Sequence, residues 1–109
     1  MDRKTSSPNR GPYYLPQTVV RAVAVQFADL LDERHLAQSH ALVLDATAIL
    51  LGAKDWAAYR ASPDRFPVRS DCRQLNGQAV LDFIGAHSRP WVGPGTLTEV
   101  LDLLDLTPA

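Results

Sequence analysis

Apolar residues recur every three or four positions through most of the chain, and this spacing is typical of helices that bury one face. Phe66 and Val68 alternate with polar neighbours instead. We interpret the proline-containing segment 62–75 around them as a loop, in which a short extended strand could form. The pattern therefore predicts an all-α fold, a small single-domain bundle of four or five helices. Their expected ranges are about 18–33, 40–51, 55–61, 77–87 and 97–106.

The middle of the chain carries clear local signals for two successive helices. The Ser39 hydroxyl can accept a hydrogen bond from a free N–H group in the first turn, and Gly52 can adopt the left-handed conformation that ends a helix. Asp55 is placed to cap the next helix, which carries Trp56 and Tyr59 three residues apart on one face. The apolar stripe of the first of these helices is expected to contain Leu42, Ala46, Ile49, Leu50 and Ala53.

The first predicted helix has a regular amphipathic pattern. Its polar side is expected to carry Arg21, Asp29 and Asp32. The connection that follows, residues 34–38, is short, which predicts that the first two helices are antiparallel neighbours. The buried stripe is expected to contain Val19, Val23, Phe27, Leu30 and Leu31.

The last two helices are predicted from their caps as well as from their period. Asn76 is placed to cap the helix that begins at Gly77. Thr96 and Glu99 form a capping box, in which each side chain can accept a hydrogen bond from the other residue's backbone N–H. Trp91, in the turn-rich connection before this box, is expected to cover one edge of the core. The expected core is Val23, Phe27, Leu30, Leu42, Ile49, Trp56, Val80, Phe83, Leu101 and Leu104.

The middle of the chain also resembles a known family. The residues that carry the resemblance are Ser39-His40, Leu44, Ala48, Leu50-Leu51-Gly52, Asp55-Trp56, Tyr59 and Ala61. This order is similar to the small helical domain of bacteria called glyoxalase-related, which typically reads Ser-His-Ser-Gln-Ala-Leu-Glu-Leu-x-Ala-x-x-Leu-Gly-Tyr-Arg-Asp-Trp. The resemblance covers about residues 18–61, with Leu42 and Ala53 where the family has Gln and Tyr. It implies a helical fold and no reaction, because glyoxalase chemistry belongs to a separate metal-binding αβ fold.

Composition places the chain among ordinary globular domains. Of its 109 residues, 46% are hydrophobic and 21% are charged. A formal net charge of −1 argues against strong non-specific attraction to nucleic acid or to an anionic membrane. We expect no membrane span and no signal peptide, because no sufficiently long apolar run is present. Cys72 is the single cysteine, so no internal disulfide can form and a cytoplasmic location is expected.

Residues 1–17 are expected to form a flexible tail before a single helical domain at 18–109. Three prolines, two serines and three basic residues leave this segment little apolar surface to bury. Tyr13, Tyr14 and Leu15 are the exception. They either dock onto the helical domain, which we favour, or offer an exposed aromatic contact to a partner.

Charge is unevenly distributed along the chain. A basic segment contains Arg60, Arg65, Arg69 and Arg73, and an acidic one contains Glu99, Asp102 and Asp105. Two solvated surfaces of opposite sign are the simpler interpretation. The alternative is an interaction surface, with self-association as one form of it.

Nothing in the sequence is typical of a catalytic or metal site. The three histidines and the cysteine, His35, His40, His87 and Cys72, are not spaced as a set of zinc ligands would be. Arg73 would lower the pKa of the Cys72 thiol and Asp71 would raise it, so we interpret it as an ordinary thiol. We therefore expect no enzymatic activity, no metal and no cofactor.

By elimination, the leading hypothesis is a non-catalytic helical binding module that acts through a protein partner or a larger assembly. Adaptors and inhibitors encoded by mobile elements are proteins of this size. The alternative is a helix-turn-helix-like nucleic-acid-binding protein, because Ala48 and Gly52 have the spacing that lets two helices cross tightly. Its second helix, however, begins with Asp55 and lacks side-chain pairs that read base edges. The predicted contact residues, from the 62–75 loop or from the tail, are Arg60, Arg65, Arg69, Arg73, Tyr13 and Tyr14.

Overall fold

A helix that is apolar on most of its sides occupies the centre of the molecule. The computed structural model describes residues 17–66 and 71–106, with the backbone alone for 17–19 and 64. These residues contain no strand, so the predicted all-α fold is confirmed. The elements are α1 (Gln17–Glu33), α2 (His40–Leu50), α3 (Trp56–Ala61), a 3₁₀ turn (Pro63–Arg65), α4 (Cys72–His87) and α5 (Pro94–Leu103).

The central helix α2 packs against α1, α3 and α4, and α5 completes the bundle against α1 and α4. The single apolar stripe predicted for α2 is therefore too narrow, because Val43, Leu44 and Ala48 are buried in addition to most of that stripe. Thr47 is also buried, and its hydroxyl donates a hydrogen bond to the Val43 carbonyl at 2.8 Å. A helix covered on several sides needs an apolar residue at nearly every position.

Helix α1 has the orientation that its pattern predicts. Val23, Phe27 and Leu31 are buried against the core, whereas Arg21 and Asp29 are exposed on the opposite side, as is Asp32. Of the ten expected core residues, seven are buried. The other three, Leu30, Ile49 and Phe83, are partly buried and pack against the core.

The caps predicted around α2 and α3 are confirmed. Ser39 Oγ accepts a hydrogen bond from the Leu42 N–H at 3.2 Å, and Asp55 Oδ1 accepts one from the Ala58 N–H at 2.8 Å. Gly52 has a φ of +100°, in the left-handed region that favours glycine. These three residues determine where the chain leaves one helix and enters the next.

The start of α4 differs from the prediction, because the helix begins at Cys72 rather than at Gly77. Asn76 lies inside the helix and is not its cap. Its Nδ2 group donates a hydrogen bond to the Leu50 carbonyl at 2.9 Å and so satisfies a free carbonyl at the end of α2. The predicted loop 62–75 therefore contains a 3₁₀ turn and the first turn of α4. Residues 67–70, including the possible strand position Val68, lie outside the described residues.

The capping box predicted for α5 is wrong. The helix begins two residues before Thr96, at Pro94, with Gly93 as its N-cap, and proline is well suited to the first helical position. The Glu99 carboxylate instead forms an ion pair with the Arg34 guanidinium at 3.0 Å, which joins α5 to the end of α1. The helix ends at Leu103, three residues earlier than predicted.

Trp91 does not cover the core, since 64% of its surface is exposed. Its neighbour Val92 is the residue that is buried. The ring lies over Gly93, where an added Cβ atom would approach it to 3.3 Å. Gln38 holds this connection by accepting a hydrogen bond from the Arg89 N–H at 2.7 Å and donating one to the Pro90 carbonyl at 2.8 Å.

The predicted tail, residues 1–17, lies outside the described residues except for Gln17, with which α1 begins. Within the described ranges, none of the helices has the length and apolar character needed to cross a membrane.

The two tryptophans give a matched test of the core. We expect Trp56→Ala, which truncates a side chain that is only 7% exposed, to lower the free energy of unfolding by about 3–5 kcal/mol. Trp91→Ala removes an exposed ring and should change it by no more than about 0.5 kcal/mol. Urea unfolding followed by circular dichroism measures both values. Equal effects of the two substitutions would contradict the placement of Trp56 in the core.

Candidate interaction surface

Helix α3 is held in place by its aromatic side chains. Trp56 and Tyr59 are buried and stack with their ring centroids 5.2 Å apart, and Tyr59 contacts Phe66 with a centroid distance of 6.2 Å. The Arg21 guanidinium of α1 lies 5.3 Å from the centroid of the Trp56 ring. This cation–π contact links α3 to α1.

Two carboxylates next to α3 accept hydrogen bonds from backbone N–H groups at its start. Asp55 caps the helix, and Asp45 Oδ1 accepts a hydrogen bond from the Trp56 N–H at 3.0 Å. Both acids are partly buried. Their negative charge stabilises the amino-terminal end of the helix, where the helix dipole is positive.

The described exposed side chains of α3 and of the segments on either side of it are small or cationic. Those that we call the α3 face are Lys54, Ala57, Arg60, Ala61 and Arg65. The alanines leave room for another chain to approach, and the three cations can bind carboxylate or phosphate groups. The described charged side chains of the α3 face are therefore all positive.

The structure separates the basic residues that the sequence grouped together. Arg60 and Arg65 are exposed and lie on the α3 face. Arg69 lies outside the described residues, as do the tail residues Tyr13 and Tyr14. For all five of these residues a role in partner binding stays a prediction.

Arg73 has a role inside the fold. Its guanidinium donates hydrogen bonds to the carbonyl oxygens of Leu101, at 2.6 Å from Nε, and Leu104. These carbonyls lie at the end of α5, where a helix has no backbone donors of its own. Sequence reasoning missed this because the contact joins residues 28 and 31 positions apart.

Two further residues near α3 were not among the predicted contacts. Arg21 was expected only to be exposed, and its contact with Trp56 is a tertiary one that no local pattern signals. Lys54 lies between Gly52 and Asp55, two residues from which the sequence predicts a turn. Its exposure on the α3 face follows from its position in that turn.

The Cys72 thiol is not arranged as a nucleophile. Cys72 is buried, with 2% of its surface exposed, at the first turn of α4. Burial raises the pKa of this thiol, and Asp71 raises it further, while Arg73 lowers it. Because only the thiolate is strongly nucleophilic, these surroundings keep the group unreactive.

The part of the chain that the structure describes contains no clear metal site or small-molecule pocket. No three His, Cys, Asp or Glu side chains come together there as metal ligands would. A shallow open cleft of about 170 Å³ lies between α4 and α5, with Arg73, Leu81 and Asp102 in its lining. It is smaller than the ~300–1,000 Å³ of typical small-molecule pockets.

In comparisons with known proteins, no family model, no curated protein and no solved structure matches this chain. The resemblance to the glyoxalase-related helical domain accordingly stays a prediction.

Replacing individual arginines should separate structural from surface roles. Arg73→Met keeps the length of the aliphatic stem but removes the donors, so we expect unfolding to become easier by about 1–3 kcal/mol. Arg60→Met, on the α3 face, should change stability by no more than about 0.5 kcal/mol. Thermal and urea unfolding measure both, and an unaffected Arg73→Met protein would contradict the proposed role of Arg73.

The thiol gives a second test. At pH 8 we expect Cys72 in the folded protein to react with a disulfide reagent at least about 100-fold more slowly than in the protein unfolded by guanidinium, because burial both shields it and raises its pKa. The absorbance of the released thiolate follows the reaction. Equal rates in the two states would show that the thiol is accessible in the folded protein.

Proposed function

We propose that this protein is a non-catalytic helical binding module that captures an acidic segment of a protein partner on the α3 face. One observation carries the proposal. Lys54 before α3, Arg60 within it and Arg65 in the turn after it are all exposed, while the carboxylates of Asp45 and Asp55 accept hydrogen bonds at the helix start. The cations are thus offered outward on a preorganised surface.

Preorganisation favours recognition by such a surface. A helix of six residues would not form alone in water. The geometry of α3 therefore depends on the packing of Trp56 and Tyr59 within this chain and does not require a bound partner. Binding then requires little ordering of the chain, which lowers its entropic cost. Positive charge also speeds the encounter with an acidic partner and sets its orientation.

Nucleic acid is the second candidate, and it is favoured by the turn at Gly52 that joins α2 to the cationic α3. The charge of the rest of the chain argues against nucleic-acid binding. Residues 17–109 contain eight Lys and Arg against eleven Asp and Glu, so a phosphate backbone would be repelled over much of the surface. Helix α3 also presents Arg60 as its only exposed long donor, which is too little to read base edges.

The test is a charge reversal on the α3 face. The immobilised full chain is incubated with a bacterial lysate, with and without nuclease, and retained proteins are identified by mass spectrometry. We expect capture of a defined protein set that survives nuclease and is released by high salt, and we expect Arg60→Glu with Arg65→Glu to abolish it. Fluorescence anisotropy with labelled duplex and single-stranded DNA should show no binding at about 0.15 M salt.

Arg89→Glu is the control, because Arg89 is also exposed but lies in the connection between α4 and α5. It should retain the same proteins as the wild type. Capture that disappears with nuclease, or DNA binding lost in the double variant, would move the assignment to nucleic acid. Capture unchanged by the double variant would show that the α3 face is not the contact surface.

A further inference from the structure

The outer side of α1 carries opposite charges at equal distances from an exposed valine. Arg21, Val25 and Asp29 are four residues apart, so neighbours along this series are displaced by about 6 Å and turned by only about 40°. Asp32 lies two turns beyond Val25, within about 20° of the same line. Together with the exposed Ala22, these residues form a surface that we call the α1 face.

Apart from the contact of Arg21 with Trp56, the charged side chains of the α1 face are unpaired within the described part of the chain. Val25 is 56% exposed. Neither Asp29 nor Asp32 pairs through its carboxylate with a described residue. Arg21 rests on the Trp56 ring, a contact that positions the guanidinium without occupying its N–H donors.

We propose that the α1 face binds a second copy of this chain, with the two α1 helices antiparallel about a two-fold axis near Val25. Reversing the direction of this helix exchanges its positive and negative ends. Arg21 of each copy then faces Asp29 and Asp32 of the other, and the two Val25 side chains meet at the centre. The face is thus complementary to itself, as a two-fold interface requires. A parallel arrangement would place like charges against each other.

The small contact area and the exposed ion pairs predict a weak and salt-sensitive dimer. Exposed ion pairs contribute little each, and they are screened by salt. A single pair of helices also buries less area than the roughly 1,600 Å² of a standard stable interface. Association should therefore appear only at high protein concentration and should weaken as sodium chloride is added.

Sedimentation equilibrium of the full chain, from about 10 µM to about 1 mM, covers this range of affinity. The wild type is expected to pass from the 12.0 kDa monomer to a dimer as concentration rises. Val25→Glu places two like charges at the axis, and Arg21→Glu leaves only acids on the face. Each should weaken dimerisation by about tenfold or more. Arg89→Glu, away from the face, should dimerise as the wild type does.

Mixing two charge variants tests whether charge pairing across the α1 face can hold two chains together. Arg21→Glu alone has an all-acidic face, and the Asp29→Arg, Asp32→Arg variant has an all-basic one, so each should remain monomeric. In an antiparallel pair of the two variants every charge meets its opposite. We expect the equimolar mixture to form a heterodimer at concentrations where neither variant associates alone. Circular dichroism confirms beforehand that each variant is folded.

Three results would overturn the proposal. The first is a wild-type protein that stays monomeric throughout the concentration range at low salt. The second is a dimer that Val25→Glu and Arg21→Glu leave intact, since association would then use another surface. The third is a mixture of folded variants that remains monomeric although the wild type dimerises, because this would exclude the antiparallel pairing.

Discussion

The structure depends on the burial of α2 from several directions at once. Its side chains are almost all apolar, and three other helices are needed to remove them from water. The free backbone N–H and C=O groups at the ends of a buried helix also need hydrogen-bond partners. Ser39 supplies one at the start, and Asn76, reaching across from α4, supplies another at the Leu50 carbonyl. The packing of α4 against α2 therefore combines apolar contact with a specific hydrogen bond.

Helix α3 follows from the same constraint. It is too short to be stable by itself, and it exists because Trp56 and Tyr59 complete the cover of the core while Asp45 and Asp55 satisfy its first N–H groups. The residues left outside are small or cationic. The charged surface on which the proposed function rests thus results from how α3 packs against the core.

Sequence reasoning succeeded where the determining interaction is local. Ser39, Gly52 and Asp55 act within three residues of themselves, and the pattern placed them correctly. It failed where a distant group competes for the same side chain. Asn76 bonds to α2, and Glu99 pairs with Arg34, 65 residues away, so neither is available as a local cap. No single-sequence pattern contains those distances.

The same distinction applies to the candidate surface. Composition identified Arg60 and Arg65 as basic residues in one segment, but it could not separate them from Arg73, whose donors are used at the end of α5. Nor could it place Arg21 over Trp56, which depends on how α1 and α3 pack. Trp56 and Trp91 show the difference again: the helical period around Trp56 indicated burial, whereas the irregular connection around Trp91 offered no period from which burial could be judged.

The central position of α2 has a consequence for synthesis on the ribosome. The chain is made from its amino terminus, so α1, α2 and α3 emerge before α4 and α5. Until α4 follows, the side of α2 that it will cover remains open to water, and the Leu50 carbonyl lacks the Asn76 amide. A nascent chain that stops before Cys72 therefore presents an apolar surface that other chains can bind. Folding should complete in one cooperative step only after α4 and α5 are available, and stalled or truncated products should be the species that chaperones and proteases recognise.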